Sequence, residues 1–329
     1  MSDRRLEPEQ GVVPDGGSGG SATPSFADPS GRPSGLAARP DPTRIGGRTF
    51  AWGERTYVVG ILNLTPDSFS GDGLLTGGAG SPAVIERALA QARAMVDEGA
   101  DLLDLGGEST RPGHAEVDPA EEIARTVPVL RAIRAALPDV PLSIDTTKPA
   151  VAEAALDAGA DLLNDVWGVA PDAALARLAA ERGVPLILMH NRAEARYVNL
   201  IAEVIADLWR AIERATAAGC PLGSLIVDPG FGFGKAPDHN LELLRRLPEL
   251  HVLGRPIMLG TSRKSTLGRV LDLPPGERLE ATLATTALAA AAGVDLVRVH
   301  DVRANVRVAR LTDAVVRAAE RTVVPTTMP

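Results

Sequence analysis

Eight short apolar runs recur along the chain, and amphipathic stretches fill the gaps between them. The runs are YVVGILN (57–63), DLLDLGG (101–107), PLSID (141–145), DLLND (161–165), VPLILMH (184–190), SLIVDPG (224–230), PIMLGTS (256–262) and DLVRVH (295–300). Short, nearly continuous apolar runs read as strands buried on both faces. The segments between them carry apolar residues at helical spacing. In SPAVIERALAQARAMVDEGA (81–100), Ser81 is a candidate N-cap, Pro82 opens the first turn and Gly99 stops the helix. The endings GAD (99–101, 159–161) and GVD (293–295) mark a helix stop leading into the next strand. Eight such units predict an α/β fold, a (β/α)8 TIM barrel, with a doubly wound open sheet as the alternative.

Side chains alternate along a strand, so parity assigns faces. In DLVRVH, Val297 and Val299 suit the helix-facing side, which turns Leu296, Arg298 and His300 inward. The same parity sets Ser143 with Asp145, Leu162 with Asn164, and Ile61 with Asn63 inside. Polar residues thus arrive, facing inward, at the C-terminal end of strand after strand, and that end carries the active site in this architecture. An Asp that closes a strand often only caps the next turn. Six or more such strand ends converging would bury many polar groups without benefit unless they serve a ligand.

Residues 1–44 read differently. They are rich in Gly, Pro and Ser, cannot bury enough apolar surface to offset ordering, and are expected to form a disordered arm before a single barrel domain at 45–329. The start carries no apolar stretch of the kind a secretory signal needs, and no segment is apolar enough for a membrane helix. A net charge of −8 argues against general nucleic-acid binding. One cysteine, Cys220, excludes an internal disulfide and suits a reducing cytoplasm.

Lysine is the informative rarity. Arginine supplies nearly every cation, and the only lysines are Lys148, Lys235 and Lys264. Lys235 ends GFGFGK (230–235), which has neither P-loop nor dinucleotide-binding spacing. It reads instead as a flexible loop presenting Phe231 and Phe233 to a flat ligand. His190 and His239 read as structural or surface residues.

In order, the words GILNLTPDSFSGDG (60–73), DLGGESTRPG (104–113), SIDTTK (143–148), NDVWG (164–168), DPGFGFGK (228–235), GTSRKS (260–265) and RVHDV (298–302) resemble the signature of the dihydropteroate synthases. The resemblance spans about residues 45 to 320. Pterin-binding relatives that move methyl groups share the barrel but lack the GESTRPG and NxTPDSF loops. A catalytically silent pterin-binding homologue is the rival reading from another class. The resemblance implies a transferase of folate biosynthesis that joins a pterin diphosphate to 4-aminobenzoate, is a sulfonamide target, uses Mg²⁺ and forms a homodimer. It implies pterin contacts from Asp145, Asn164, Asp228, Lys264 and Arg298, and diphosphate contacts from Asn63, Arg298 and His300, with Asn63 also on the metal. It implies a 4-aminobenzoate pocket of Phe69, Thr110, Arg111, Pro112, Phe233 and Ser265, with Asp145 and Lys264 catalytic. The family's loop commonly reads NxTPDSFSDGG. Here Gly71 stands where the acid is usual, and Asp72 is expected to take over its role.

Overall fold

The computed structural model describes residues 40–65, 80–109, 116–168, 170 and 172–317. All eight apolar runs form strands: β3 (Tyr57–Asn63), β4 (Leu102–Gly106), β5 (Leu142–Asp145), β6 (Leu162–Asp165), β7 (Leu186–Met189), β8 (Leu225–Asp228), β9 (Met258–Leu259) and β10 (Leu296–Val299). They pair in parallel in the order β8-β7-β6-β5-β4-β3-β10-β9. A parallel bridge between Val227 and Ile257, with Val227 N–H donating to the Pro256 carbonyl (2.9 Å), brings the two ends of the sheet together. The fold is the predicted TIM barrel.

Helices α1 (Pro82–Asp97), α2 (Pro119–Ala136), α3 (Pro149–Asp157), α4 (Ala174–Arg182), α5 (Leu200–Ala217), α6 (Pro237–Arg245) and α8 (Leu279–Ala291) connect the strands, and α9 (Val302–Val316) follows β10. A further short helix, α7 (Ser265–Leu271), lies between β9 and α8 and is not separated by the sequence pattern. Ser81 holds the N-cap position of α1, yet its hydroxyl makes no capping bond; Pro82 and Gly99 (φ +103°) take the expected places.

The core has two compartments, and strand parity divides them. Outward-facing Leu62, Leu103, Leu105, Ile144, Leu163, Val297 and Val299 pack against the helices. Inward-facing Val59, Leu102, Leu162, Ile187, Ile226, Met258 and Leu296 fill the barrel. The inner compartment is continuous with a small antiparallel hairpin, β1 (Thr43–Ile45) and β2 (Arg48–Phe50), ahead of the barrel. Its first strand begins before the boundary expected at residue 45. Phe50, Trp52 and Tyr57 form an aromatic cluster there, with ring centroids 4.8–5.7 Å apart. Trp52 Nε1 donates to Thr43 Oγ1 (2.9 Å), and Thr43 Oγ1 donates to the Gly223 carbonyl (2.8 Å). The hairpin therefore closes the N-terminal end of the barrel, opposite the polar C-terminal strand ends.

Candidate active site

Register places the polar strand ends side by side. Asp104 pairs with Ser143, Gly106 with Asp145, and Asp145 with Asn164 across β4, β5 and β6. Asp228, at the end of β8, pairs with Met189. Arg298 reaches across from β10: Nε donates to Asp104 Oδ2 (2.5 Å) and Nη2 to Asp145 Oδ2 (2.9 Å). Asn164 Nδ2 also donates to Asp104 Oδ2 (3.1 Å). One guanidinium thus bridges two inward carboxylates. Burial works against its charge, but the carboxylates more than offset that and raise its pKa.

Half of this polar layer remains unanswered. Asp104 Oδ1, Ser143 Oγ, Asp145 Oδ1 and Asn164 Oδ1 are buried and have no hydrogen-bond partner. A buried polar atom left unpaired costs about 1–3 kcal/mol, so four on one wall describe a surface shaped for a polar ligand. Burial pushes Asp145 up to about 7, partly relieved by Arg298 and aggravated by Asp104. Burial likewise raises Asp228, against the pull of Lys264 and of the Gly230 N–H, which donates to its Oδ1 (2.7 Å).

At the rim, His300 Nε2 lies 3.3 Å from Asn63 Nδ2, and His300 Nδ1 lies 2.9 Å from Ser262 Oγ. Lys264 Nζ donates to the Phe231 carbonyl and sits 4.5 Å above the Phe233 ring centroid. Ser265 follows as the first residue of α7.

The DPGFGFGK segment is not the flexible loop that the sequence suggests. Phe231 is fully buried in the outer core, and only Phe233 is partly exposed. Lys235 Nζ donates to His190 Nδ1 (2.8 Å) and to the Gly230 (3.0 Å) and Phe233 (3.1 Å) carbonyls, using all three ammonium hydrogens. Tyr197 Oη donates to the Gly234 carbonyl (2.8 Å). Burial pushes Lys235 down to about 7. His190 is held down to about 2 by burial and the neighbouring cations, so its ring is neutral and Nε2 faces Asp207 at 3.1 Å. His190 is structural, as expected, and so is His239, whose Nδ1 accepts from the Ala236 N–H (3.2 Å).

Of the predicted site residues, Asn63, Asp145, Asn164, Asp228, Phe233, Lys264, Ser265, Arg298 and His300 lie at the C-terminal strand ends or in the loops that follow them. Phe69, Asp72, Thr110, Arg111 and Pro112 lie outside the described residues. Asp104, Ser262 and Lys235 were not assigned from sequence, although Asp104 has the same inward parity that singled out Asp145. Lys148, the remaining lysine, donates to Glu108 Oε2 (2.5 Å) and to the fully buried Glu122 (Oε2, 2.7 Å).

The family described as pterin binding enzyme matches residues 59–300. A dihydropteroate synthase from Clostridium beijerinckii is 48% identical over 275 residues, covering 83% of this chain and 99% of the relative. This chain belongs to the dihydropteroate synthase family. A Clostridium difficile dihydropteroate synthase solved in the presence of pteroic acid superposes with a TM-score of 0.76 at 47% identity, covering 82% of this chain and 99% of that one. The Xanthomonas albilineans dihydropteroate synthase solved with 4-aminobenzoic acid gives a TM-score of 0.77 at 40% identity, covering 84% and 98%. The methyl-transferring reading of the same barrel is thereby displaced in favour of the dihydropteroate synthases.

Proposed function

We propose that the chain condenses (7,8-dihydropterin-6-yl)methyl diphosphate with 4-aminobenzoate, giving 7,8-dihydropteroate and diphosphate, and that sulfonamides block it by taking the place of 4-aminobenzoate. The observation that carries this reading is the wall of unpartnered Asp104, Ser143, Asp145 and Asn164 atoms at the barrel mouth, flanked by Asp228 and Arg298.

A pterin edge presents N3–H beside a 2-amino group, two parallel donors that one carboxylate accepts together, and Asp228 takes that task. Asn164 offers the ring both a donor and an acceptor. Lys264 exchanges the Phe231 carbonyl for the ring carbonyl and neighbouring nitrogen. The reaction breaks the bond between the methylene carbon and the diphosphate oxygen, and the aminobenzoate nitrogen forms a bond to that carbon and loses a proton. Positive charge that develops on the dihydropterin is stabilised by ionised Asp145. Negative charge on the departing diphosphate meets Arg298, His300 and Asn63. Phe233 and Ser265 line the aminobenzoate position, joined by Phe69, Thr110, Arg111 and Pro112.

Among the described residues no three His, Cys, Asp or Glu side chains gather to hold a metal. A magnesium ion that travels with a diphosphate needs only one or two protein oxygens, and the Asn63 amide oxygen fits that requirement. When bound, Mg²⁺ neutralises charge on the leaving group. The reading includes a cytoplasmic homodimer: Leu288 on α8 and Leu311 and Val315 on α9 are exposed apolar side chains suited to a partner's cover. No described helix is long and apolar enough to cross a membrane. Measuring diphosphate release with and without 4-aminobenzoate tests the activity. Release that ignores 4-aminobenzoate counts against it.

A further inference from the structure

Two segments carry the candidate aminobenzoate pocket among the described residues: the loop bearing Phe233 and the start of α7 bearing Ser265. They come from different strand ends, β8 and β9, and must hold a fixed separation to grip one flat ring. One side chain joins them. Asn240, on α6, is almost completely buried. Its Oδ1 accepts from the Gly232 N–H (2.7 Å), in the middle of the loop. Its Nδ2 donates to the Ala236 carbonyl (3.1 Å), at the loop's end, and to Thr266 Oγ1 (3.0 Å), in the first turn of α7. Both amide hydrogens and the amide oxygen are therefore in use.

We propose that Asn240 is a positioning residue that locks the Phe233 loop to α7 and so sets the aminobenzoate pocket. The proposal rests on the reading of the site as a dihydropteroate synthase. An asparagine is a costly choice for a buried position that a leucine could fill, because every amide group must find a partner. The cost is offset here because Gly232 needs an acceptor for its N–H while at φ +84°, where the loop turns away from its own backbone. Thr266 completes the link by accepting from Asn240 in the first turn of α7. The pterin-facing side chains on β5, β6 and β8 do not depend on this link, because they are fixed by strand register.

The test uses Thr266→Val, which keeps shape and removes the acceptor, with Thr266→Ser as the rescue. Thr266→Val should raise KM for 4-aminobenzoate about tenfold, the effect of one lost hydrogen bond of roughly average strength, while the pterin dissociation constant, to which Lys264 at the N-cap of α7 also contributes, rises by a smaller factor. Thr266→Ser should restore it. Amide hydrogen exchange read in parallel should quicken across residues 230–236 in Thr266→Val, although the substitution lies on another element, and return to the wild-type rate in Thr266→Ser. Unchanged exchange in that segment overturns the proposal, as does a Thr266→Val protein that melts earlier yet keeps its KM. If wild type turns over no 4-aminobenzoate, the activity reading fails, while the exchange result still decides whether Asn240 couples the two segments.

Discussion

At the scale of single residues, the site is a set of charges held apart from water and partly left unanswered. Asp228 is buried, and its Oδ1 accepts from the Gly230 N–H. Asp228→Asn replaces an acceptor pair with a donor facing a donor, and should weaken pterin binding by roughly 2–4 kcal/mol with little effect on 4-aminobenzoate. Calorimetric titration with a pterin fragment checks this, and equal affinity would remove Asp228 from the pocket. Asp145 makes a pH prediction. Burial lifts it from 3.8 to about 7, so below pH 7 it is mostly protonated and unable to stabilise a cationic dihydropterin. The kcat/KM for the pterin diphosphate should therefore rise with pH through an apparent pKa near 7, and a flat profile from pH 5.5 to 8 would contradict the role. The same shift carries a stability cost: the folded state holds a proton that the unfolded chain releases, so this residue's contribution falls as pH rises from about 4 to about 7. Asp72 lies outside the described residues, and its role rests on the loop word alone. Asp72→Ala should lower kcat by about 10²-fold, the scale of an oriented catalytic group, at constant pterin affinity. Turnover equal to wild type across a Mg²⁺ titration would end that idea. Much of this layer was legible in the sequence, because parity within a strand states which side chains face inward. Asp104 was missed although the same rule pointed to it. Its partners, Arg298 and Asn164, lie 194 and 60 positions away, and no local pattern reveals a contact of that span.

At the scale of elements, the apolar runs predicted every strand of the barrel, since a strand buried on both faces has little choice of composition. Two features escaped. The hairpin strands are three residues each, too short for alternation to show. Helix α7 has seven residues and a glycine, Gly268, packed against the Arg278 guanidinium, and this contact rather than helix propensity explains the small residue. The loop after β8 was misjudged for a related reason. Three glycines suggest freedom, yet Gly230, Gly232 and Gly234 all have positive φ and are held there by Lys235, Asn240 and Tyr197. Glycine here serves close approach: a Cβ on Gly230 would run into the His190 carbonyl. Gly230→Ala should accordingly destabilise the protein by about 3 kcal/mol or more, combining left-handed strain with a backbone clash, and should raise KM for 4-aminobenzoate. A thermal melt and a substrate titration read the two effects, and a melt unchanged within a degree would show that the loop yields.

At the scale of the whole molecule, the two compartments of the core do different work. The outer one binds helices to strands, and the inner one, with the hairpin's aromatic cluster, fills the barrel from its N-terminal end. Trp52→Ala removes a buried indole and its bond to Thr43. It should cost about 3–5 kcal/mol in urea unfolding, as large-to-small core changes do, while leaving both KM values near wild type because the mouth is at the other end. A changed KM with unchanged stability would mean that the plug communicates with the site. The plug has one more consequence. With the hairpin's cluster filling the N-terminal end, whatever reacts at the polar strand ends enters and departs on the C-terminal side. In the proposed reaction the pterin rests against side chains fixed by strand register and the aminobenzoate lies nearer the rim. The first molecule in is shut beneath the second, and the joined product leaves with its benzoate end foremost. A ligand held there can be lengthened away from the hairpin and not toward it.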